Sequence, residues 1–247
     1  SVTAGIGISS MTLRLDDRLW GISNNSPNAK SPKFYENSYK NLVSPNFSIN
    51  KKINEVASVY VSYSVGYKAP VSSNFYIPTT GQVNTGLTPE KGTQIELGTK
   101  GSMYNNRLYY TAAWFSTQFT NKLTSVTVQN PENTATLYSY LVNGGTLDNK
   151  GFEFLVKYDV LKSDNGFISS LRPFANATIS NFHYRDYQYN TVGKGYLGQD
   201  STIVNDYSGN IVAGVPPLVL NIGADIETKI GLYANATFNF RDALYFT

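Results

Sequence analysis

From Thr146 to Tyr158 the chain reads TLDNKGFEFLVKY. Phe152, Phe154, Val156 and Tyr158, continued by Val160, fall on one side of a period of two, while Glu153, Lys157 and Asp159 fall on the other with Gly151 and Leu155. Such a period sends successive side chains to opposite faces of a β-strand. The alternation recurs along the chain. Val59, Val61, Tyr63, Val65 and Tyr67 interleave with Tyr60, Ser62, Ser64, Gly66 and Lys68, and Thr93, Ile95, Leu97 and Thr99 interleave with Gln94, Glu96, Gly98 and Lys100. The pattern predicts strands over residues 2–16, 41–49, 56–68, 92–101, 107–119, 151–160, 167–183, 217–226 and 231–245.

The connections carry a second pattern. Those at KKINE, MYNN, KSDNG and ETKI are tight, whereas residues 20–36, 69–91, 120–149 and 184–215 are long and rich in Asn, Tyr, Gly and Pro. Short and long alternate strictly. A soluble sandwich has no reason to sort its loops this way, but an up-and-down transmembrane barrel does, with short turns on one side of the bilayer and long loops on the other. Strand length agrees, because a tilted membrane strand needs about 9–11 residues. Tyr104, Tyr110, Tyr158 and Tyr233 fall next to the short turns, and Tyr67, Phe119, Phe152 and Phe240 near the opposite ends, which fits aromatic belts at two interfaces.

Composition narrows the class further. With 19 Tyr, 13 Phe and 20 Gly, the chain is rich in strand and turn formers, which favours an all-β fold. Mean hydropathy is -0.26, and no stretch approaches the roughly 20 apolar residues of a membrane helix. The opening SVTAGIGISS lacks the basic start and cleavage site of a signal peptide, so the chain is expected to begin inside something larger or after processing. There is no Cys, hence no disulfide framework and no thiolate metal site. A net charge of +3 with no basic block argues against a nucleic-acid partner.

Candidate chemistry is sparse. His183 is the only histidine, so a Ser-His-Asp or Cys-His arrangement has no alternative base, and a zinc site lacks ligands. The chain is therefore expected to be no enzyme and to hold no metal or cofactor. Glu90, Glu96 and Lys100 in LTPEKGTQIELGTK read as water-facing strand charges paired with neighbours rather than as acid–base catalysts, and Lys150 and Glu153 read likewise. The acceptor-like triplets at Asn46, Asn176 and Asn235 fall in predicted strands and are discounted as glycosylation sites. Gly5–Ile6–Gly7 lacks the spacing of a nucleotide loop and reads as relief of crowding or a bulge.

Five segments carry a family resemblance: YVSYSVGYKAP (60–70), LTPEKGTQIELGTKG (87–101), NRLYYTAAWFSTQFTNKL (106–123), NGGTLDNKGFEF (143–154) and GVPPLVLNIGADI (214–226). In this order they resemble the barrel of a TonB-dependent outer-membrane receptor, nearest to the ferric-chelate type. That resemblance implies an antiparallel 22-stranded barrel in the outer membrane of a Gram-negative bacterium, of which this chain supplies about nine strands from the later middle. It implies a single partial barrel domain over 1–247, with the plug and the final strands lying outside it. Such a piece leaves open sheet edges and is expected to aggregate as a lone soluble chain.

The implied function is energised import of a ferric siderophore or similar ferric chelate. The implied partners are the TonB complex, acting through a plug, and outer-membrane lipid. In NFHYRDYQYN, His183, Tyr184, Arg185, Tyr187 and Tyr189 crowd the start of a long loop, where Arg charge and aromatic faces suit an anionic chelate. Phe75, Tyr76, Tyr138, Tyr140 and Tyr196 are further loop aromatics suited to a ligand vestibule. The alternatives are a receptor for a glycan or cobalamin, a passive porin, and a soluble glycan-binding β-protein. The last requires Phe152, Phe154, Val156 and Tyr158 to be buried against a second sheet.

Overall fold

The computed structural model describes residues 1–16, 33–77, 80–129, 136–163, 166–194 and 200–245. In chain order its elements are β1 (Val2–Asp16), β2 (Phe34–Lys52), β3 (Ala57–Lys68), α1 (Ser72–Phe75), β4 (Tyr76–Ile77), β5 (Gln82–Val83), β6 (Glu90–Met103), β7 (Leu108–Thr120), β8 (Leu123–Gln129) and β9 (Thr136–Asn143). They continue as β10 (Thr146–Tyr158), β11 (Leu161–Lys162), β12 (Ile168–Arg185), β13 (Gln188–Lys194), β14 (Asp200–Asp206), β15 (Leu218–Thr228) and β16 (Tyr233–Arg241). The main sheet runs β1-β2-β3-β6-β7-β10-β12-β15-β16, each strand antiparallel to the next, with β11 on β12. Nine long strands in chain order form an up-and-down wall, as the alternation predicts.

Register shows why this wall needs two solvents. Val2, Ile49, Val61, Leu97, Trp114, Phe152, Ile179 and Leu218 lie side by side across eight strands as one apolar row. One residue away, Thr3, Ser48, Ser62, Glu96, Phe115, Gly151 and Ser180 form the neighbouring row on the opposite face. The apolar row is not buried by protein: Val2 is 66% exposed, Leu97 55%, Phe152 56% and Ile179 54%. Large apolar side chains at this density would be an aggregation surface in water. Against hydrocarbon they are the favoured surface, and their backbone groups are already paired within the sheet. Among the described residues no second sheet covers Phe152 and Phe154, which stay 56% and 48% exposed, the opposite of what a soluble sandwich expects.

Short and long connections are sorted as expected. Residues 53–56, 104–107 and 229–232 are four-residue turns, and among its described residues the connection 159–167 carries β11 alone. Arg107 closes that end by donating to the carbonyls of Asp159 and Val160, with its guanidinium 5.9 Å from the Tyr158 ring centre. At the other end the described residues of three long connections fold into the hairpins β4–β5, β8–β9 and β13–β14.

Three expectations change. Residues 34–36, expected in a loop, and 37–40 before the expected strand belong to β2, and Tyr184 and Arg185 belong to β12, so these strands reach 19 and 18 residues. A register shift between Ser9 and Met11, with Asn41 at φ 57, lets β2 continue after the alternation is interrupted, which is why the period-two signal stops there. Val160 lies beyond β10. Phe119 and Tyr233 leave the aromatic belts, because pairing with Gly92 and Glu227 puts them on the polar face.

Candidate ligand-binding site

The long-connection end holds nearly all the buried apolar side chains of the described residues: Phe75, Ile77, Leu87, Val126, Leu147 and Tyr187, with Val65 the exception in the wall. α1 turns Phe75 inward, where its ring meets Tyr35 of β2 at 5.6 Å. The hydroxyl of Tyr39 donates to the Leu87 carbonyl at 2.6 Å. The hairpins then clamp one another through side chain–backbone bonds. Asn143 donates to the carbonyls of Thr88 and Asn121 and accepts from the Thr88 N–H. Asn84 of the β4–β5 hairpin donates to the Leu141 carbonyl of β9.

Glu90 is the electrostatic anchor of this rim. It is 4% exposed, accepts the Leu123 N–H at 2.7 Å, and lies 3.1 Å from Lys122 and 3.8 Å from Lys68. A buried carboxylate persists only where charge and hydrogen bonds compensate it. Glu90 thereby ties the start of β8 to the top of β6. It borders a cleft of about 340 Å³ on the polar face, with Lys68, Gln94, Thr117 and Phe119. Lower on that face Glu96 accepts from Tyr60 at 2.5 Å and from Gln94 at 3.3 Å, the neighbour pairing expected of a water-facing strand charge. Tyr60 lies across Gly98 of β6, where a Cβ would come within 2.3 Å of the ring.

A larger cavity, about 510 Å³, opens between the hairpins β4–β5 and β8–β9. Val126 pairs with Tyr140 and Val128 with Tyr138 across β8 and β9, and the two tyrosine rings stand 6.2 Å apart at 39°. Ile77, Gln82, Val83 and Asn84 contribute from the other hairpin.

The expected ligand residues separate into groups. Tyr138 and Tyr140 line this cavity, whereas Phe75 is 1% exposed and packs the rim instead of facing a ligand. Tyr76 is half-buried in β4, opposite Val83. Tyr184 and Tyr187 have ring centres 4.4 Å apart, and Tyr207 meets Tyr187 at 6.4 Å. Tyr187 is buried, with its hydroxyl bonded to Thr124 of β8. It joins β12 to the second hairpin, and its ring is spent on packing. Strand parity puts His183 and Arg185 on the face of Ile179, away from Tyr184. Arg185 pairs there with Asp148 at 3.3 Å and Asp186 at 3.7 Å, so its charge is compensated. Tyr189 lies in β13 opposite Asn205. Tyr196 lies outside the described residues.

Sequence reasoning missed Glu90 as a buried anchor, and missed Asn84, Asn143, Val126 and Val128. The alternation of Val126 and Val128 with Ser125 and Thr127 was a readable strand signal inside a presumed loop. Among the described residues no group of three His, Cys, Asp or Glu is placed to hold a metal ion.

With this geometry in view, residues 10–247 match the family model described as TonB dependent receptor-like, beta-barrel. The chain belongs to that family. A 90-residue stretch is 32% identical to the Catecholate siderophore receptor Fiu of Escherichia coli (strain K12), covering 35% of this chain and 11% of that protein. The solved structure of the Copper transporter OprC superposes with a TM-score of 0.60 at 12% identity, over 96% of this chain and 32% of its own. The ferric yersiniabactin uptake receptor FyuA from Yersinia pestis gives 0.57 at 19%, over 87% and 27%. The chain thus spans between about a quarter and a third of the length of these solved barrels. TonB-dependent receptors form a transporter and receptor family rather than an enzyme family, and homologues are outer-membrane proteins of Gram-negative bacteria.

Proposed function

We propose that this chain forms part of the wall and the outer rim of an active transporter in the outer membrane of a Gram-negative bacterium, importing a ferric siderophore or similar ferric chelate. The observation that carries the reading is the hairpin rim set on a wall that is apolar on one face and polar on the other. Similarity to a catecholate siderophore receptor supports the ligand class. Residues 1–247 act as a single partial barrel domain, and the plug through which the TonB complex works is placed outside them in this reading.

The mechanism follows from the two ends. Ligand is captured at the rim, where Tyr138, Tyr140 and Tyr184 offer aromatic faces and the exposed Lys68 offers positive charge. It is then released along the polar face when TonB, driven by the inner-membrane proton gradient, rearranges the plug. Apolar side chains such as Phe152, Ile179 and Ile222 hold the wall in lipid.

The test is uptake of radiolabelled iron as a series of defined chelates by cells lacking the gene. Uptake of at least one catechol-type chelate is expected to fall to background, to return on complementation, and to cease when the proton gradient is collapsed. Unchanged uptake of every ferric chelate, beside a new defect for a glycan or cobalamin, overturns the ligand class. Uptake that survives loss of TonB overturns active transport.

A further inference from the structure

At the end of the tight turns the polar face holds another hollow, of about 360 Å³. Lys52, Ser58, Lys100, Ser102 and Tyr109 line it, with Glu55 at its lip on the turn 53–56. Register sets the spacing. Lys52 pairs with Ser58 and Ser58 with Lys100, which puts the two lysines about 10 Å apart across three strands. Tyr109 pairs with Ser102 on one side and Lys157 on the other, so a third lysine joins from β10. All three lysines are exposed, and none has an ion-pair or hydrogen-bond partner among the described residues. Other cations of this chain are committed: Lys68 and Lys122 share Glu90, Arg172 pairs with Asp159, and Arg185 with Asp148. The charges are also layered along the wall. On the polar face of β6, Glu96 is followed by Lys100, and on that of β10, Glu153 is followed by Lys157. Each step runs about 13 Å toward the tight turns, so the wall is negative at mid-height and positive at its inner end.

From this, and resting on the transport reading above, we infer that the hollow is an exit site, where Lys52, Lys100 and Lys157 hold a multiply anionic iron chelate at the inner mouth before it leaves the wall. One exposed lysine adds little to binding. Three around a single trianion add up, because each acts on the whole charge of the chelate. The hydroxyls of Ser58 and Tyr109 stand between the ammonium groups and supply donors to the oxygens of an anion. A neutral chelate gains nothing from the lysines and leaves them in water. The layering gives the site its direction, since an anion is repelled where Glu96 and Glu153 face it and attracted where Lys100 and Lys157 do. Glu55 at the lip keeps the hold weak, as release requires. Capture at the rim and discharge at the mouth are then separate steps, carried by different residues.

The experiment uses the full-length receptor in detergent, with a fluorophore on Asn54→Cys at the mouth. The probes are two iron(III) complexes: that of a synthetic hexadentate tris-catechol, a trianion, and that of a hexadentate tris-hydroxamate, which is neutral. The trianion is expected to quench the label saturably, at least about tenfold more tightly than the neutral complex, and less tightly as salt is raised. Lys52→Gln, Lys100→Gln and Lys157→Gln together should weaken this quenching about tenfold or more, and the three arginine substitutions should keep most of it. In cells, the triple glutamine variant should bind the trianion at the surface within about twofold of the unaltered receptor when the proton gradient is collapsed. Its energised uptake rate should fall about fivefold or more. Absence of saturable quenching, equal quenching by the neutral complex, or no response to the triple glutamine variant overturns the inference. So does a variant whose quenching is unchanged while its plug becomes sensitive to protease, because the lysines then serve an acidic segment of the plug. Quenching as expected in a receptor that imports no ferric chelate refutes the transport reading alone. Import that is insensitive to the three substitutions, without quenching, refutes the exit site alone.

Discussion

The wall and the rim of this molecule solve burial in opposite ways. Along the wall, side chains such as Phe152, Leu97 and Ile222 stay about half exposed to whatever surrounds the protein, and order comes from antiparallel ladders with hydrocarbon as the intended neighbour. In the rim, Phe75, Leu87, Val126 and Tyr187 are covered by protein, and the hairpins are fastened by Asn84, Asn143 and Glu90. The wall borrows its apolar phase from the membrane. The rim stands in water and has to build a core of its own, as a soluble domain does.

The largest expected effect tests the wall. Phe154→Arg puts a charge on the apolar face and should destabilise the barrel by about 2–4 kcal/mol in bilayers, whereas Thr178→Arg, opposite Glu153 on the polar face, should stay under about 1 kcal/mol. Equal costs, read from denaturant unfolding in lipid, would erase the two-solvent distinction. Next comes the joint of the rim. Gly145 adopts φ +126, and a Cβ there would lie 2.2 Å from the Asp186 carbonyl oxygen. Gly145→Ala should therefore cost about 3 kcal/mol, and its effect on hydrogen exchange should appear in β8–β9 and the Asp186–Tyr187 link while the wall ladders stay protected. Loss of protection throughout the wall would show that rim and wall unfold as one unit.

Smaller changes sharpen the same contrast. Glu90→Ala orphans the Leu123 N–H and Lys122, and should loosen β8–β9 by about 2 kcal/mol, with Glu90→Gln keeping the N–H acceptor and losing less. Asn143→Ala should cost about 1 kcal/mol and raise protease sensitivity at the rim only. The smallest effect concerns β14, where the hydroxyl and N–H of Ser208, with the Gln188 amide, hold the Asp206 carboxyl below the usual carboxylate range. A depressed folded value means that its contribution is present above about pH 3.9, the ordinary value, and fades as pH falls through the lower folded one. Asp206→Asn should remove this slight acid sensitivity of the β13–β14 hairpin and leave neutral-pH behaviour nearly unchanged, as hydrogen exchange across a pH series can show.

Much of the wall was legible beforehand because each of its strands carries its own signal. A period of two needs no partner to be seen, and β1, β3 and β7 lie within a residue of where alternation puts them. The rim was less legible for a matching reason. Its hairpins are short, and their value lies in contacts with segments far along the chain: Asn84 with Leu141, Thr88 with Asn143, Thr124 with Tyr187. Aromatic residues in loops were read as ligand-facing, yet Phe75 and Tyr187 turned out to be packing and Tyr138 and Tyr140 line a cavity. Local sequence does not say which of these a ring will do, since the same apolar face serves either.

By itself, then, the sequence determined the strand period, the alternation of tight and long connections, and the family. Tertiary structure decided that Glu90 is buried and bridged, that His183 and Arg185 stand on the outward face, and that two hairpins enclose a neutral cavity. The division has a physical cause. Amphipathicity and turn length are properties of a few consecutive residues, whereas burial, charge compensation and cavity shape arise only when strands dozens of residues apart are laid side by side in a particular register.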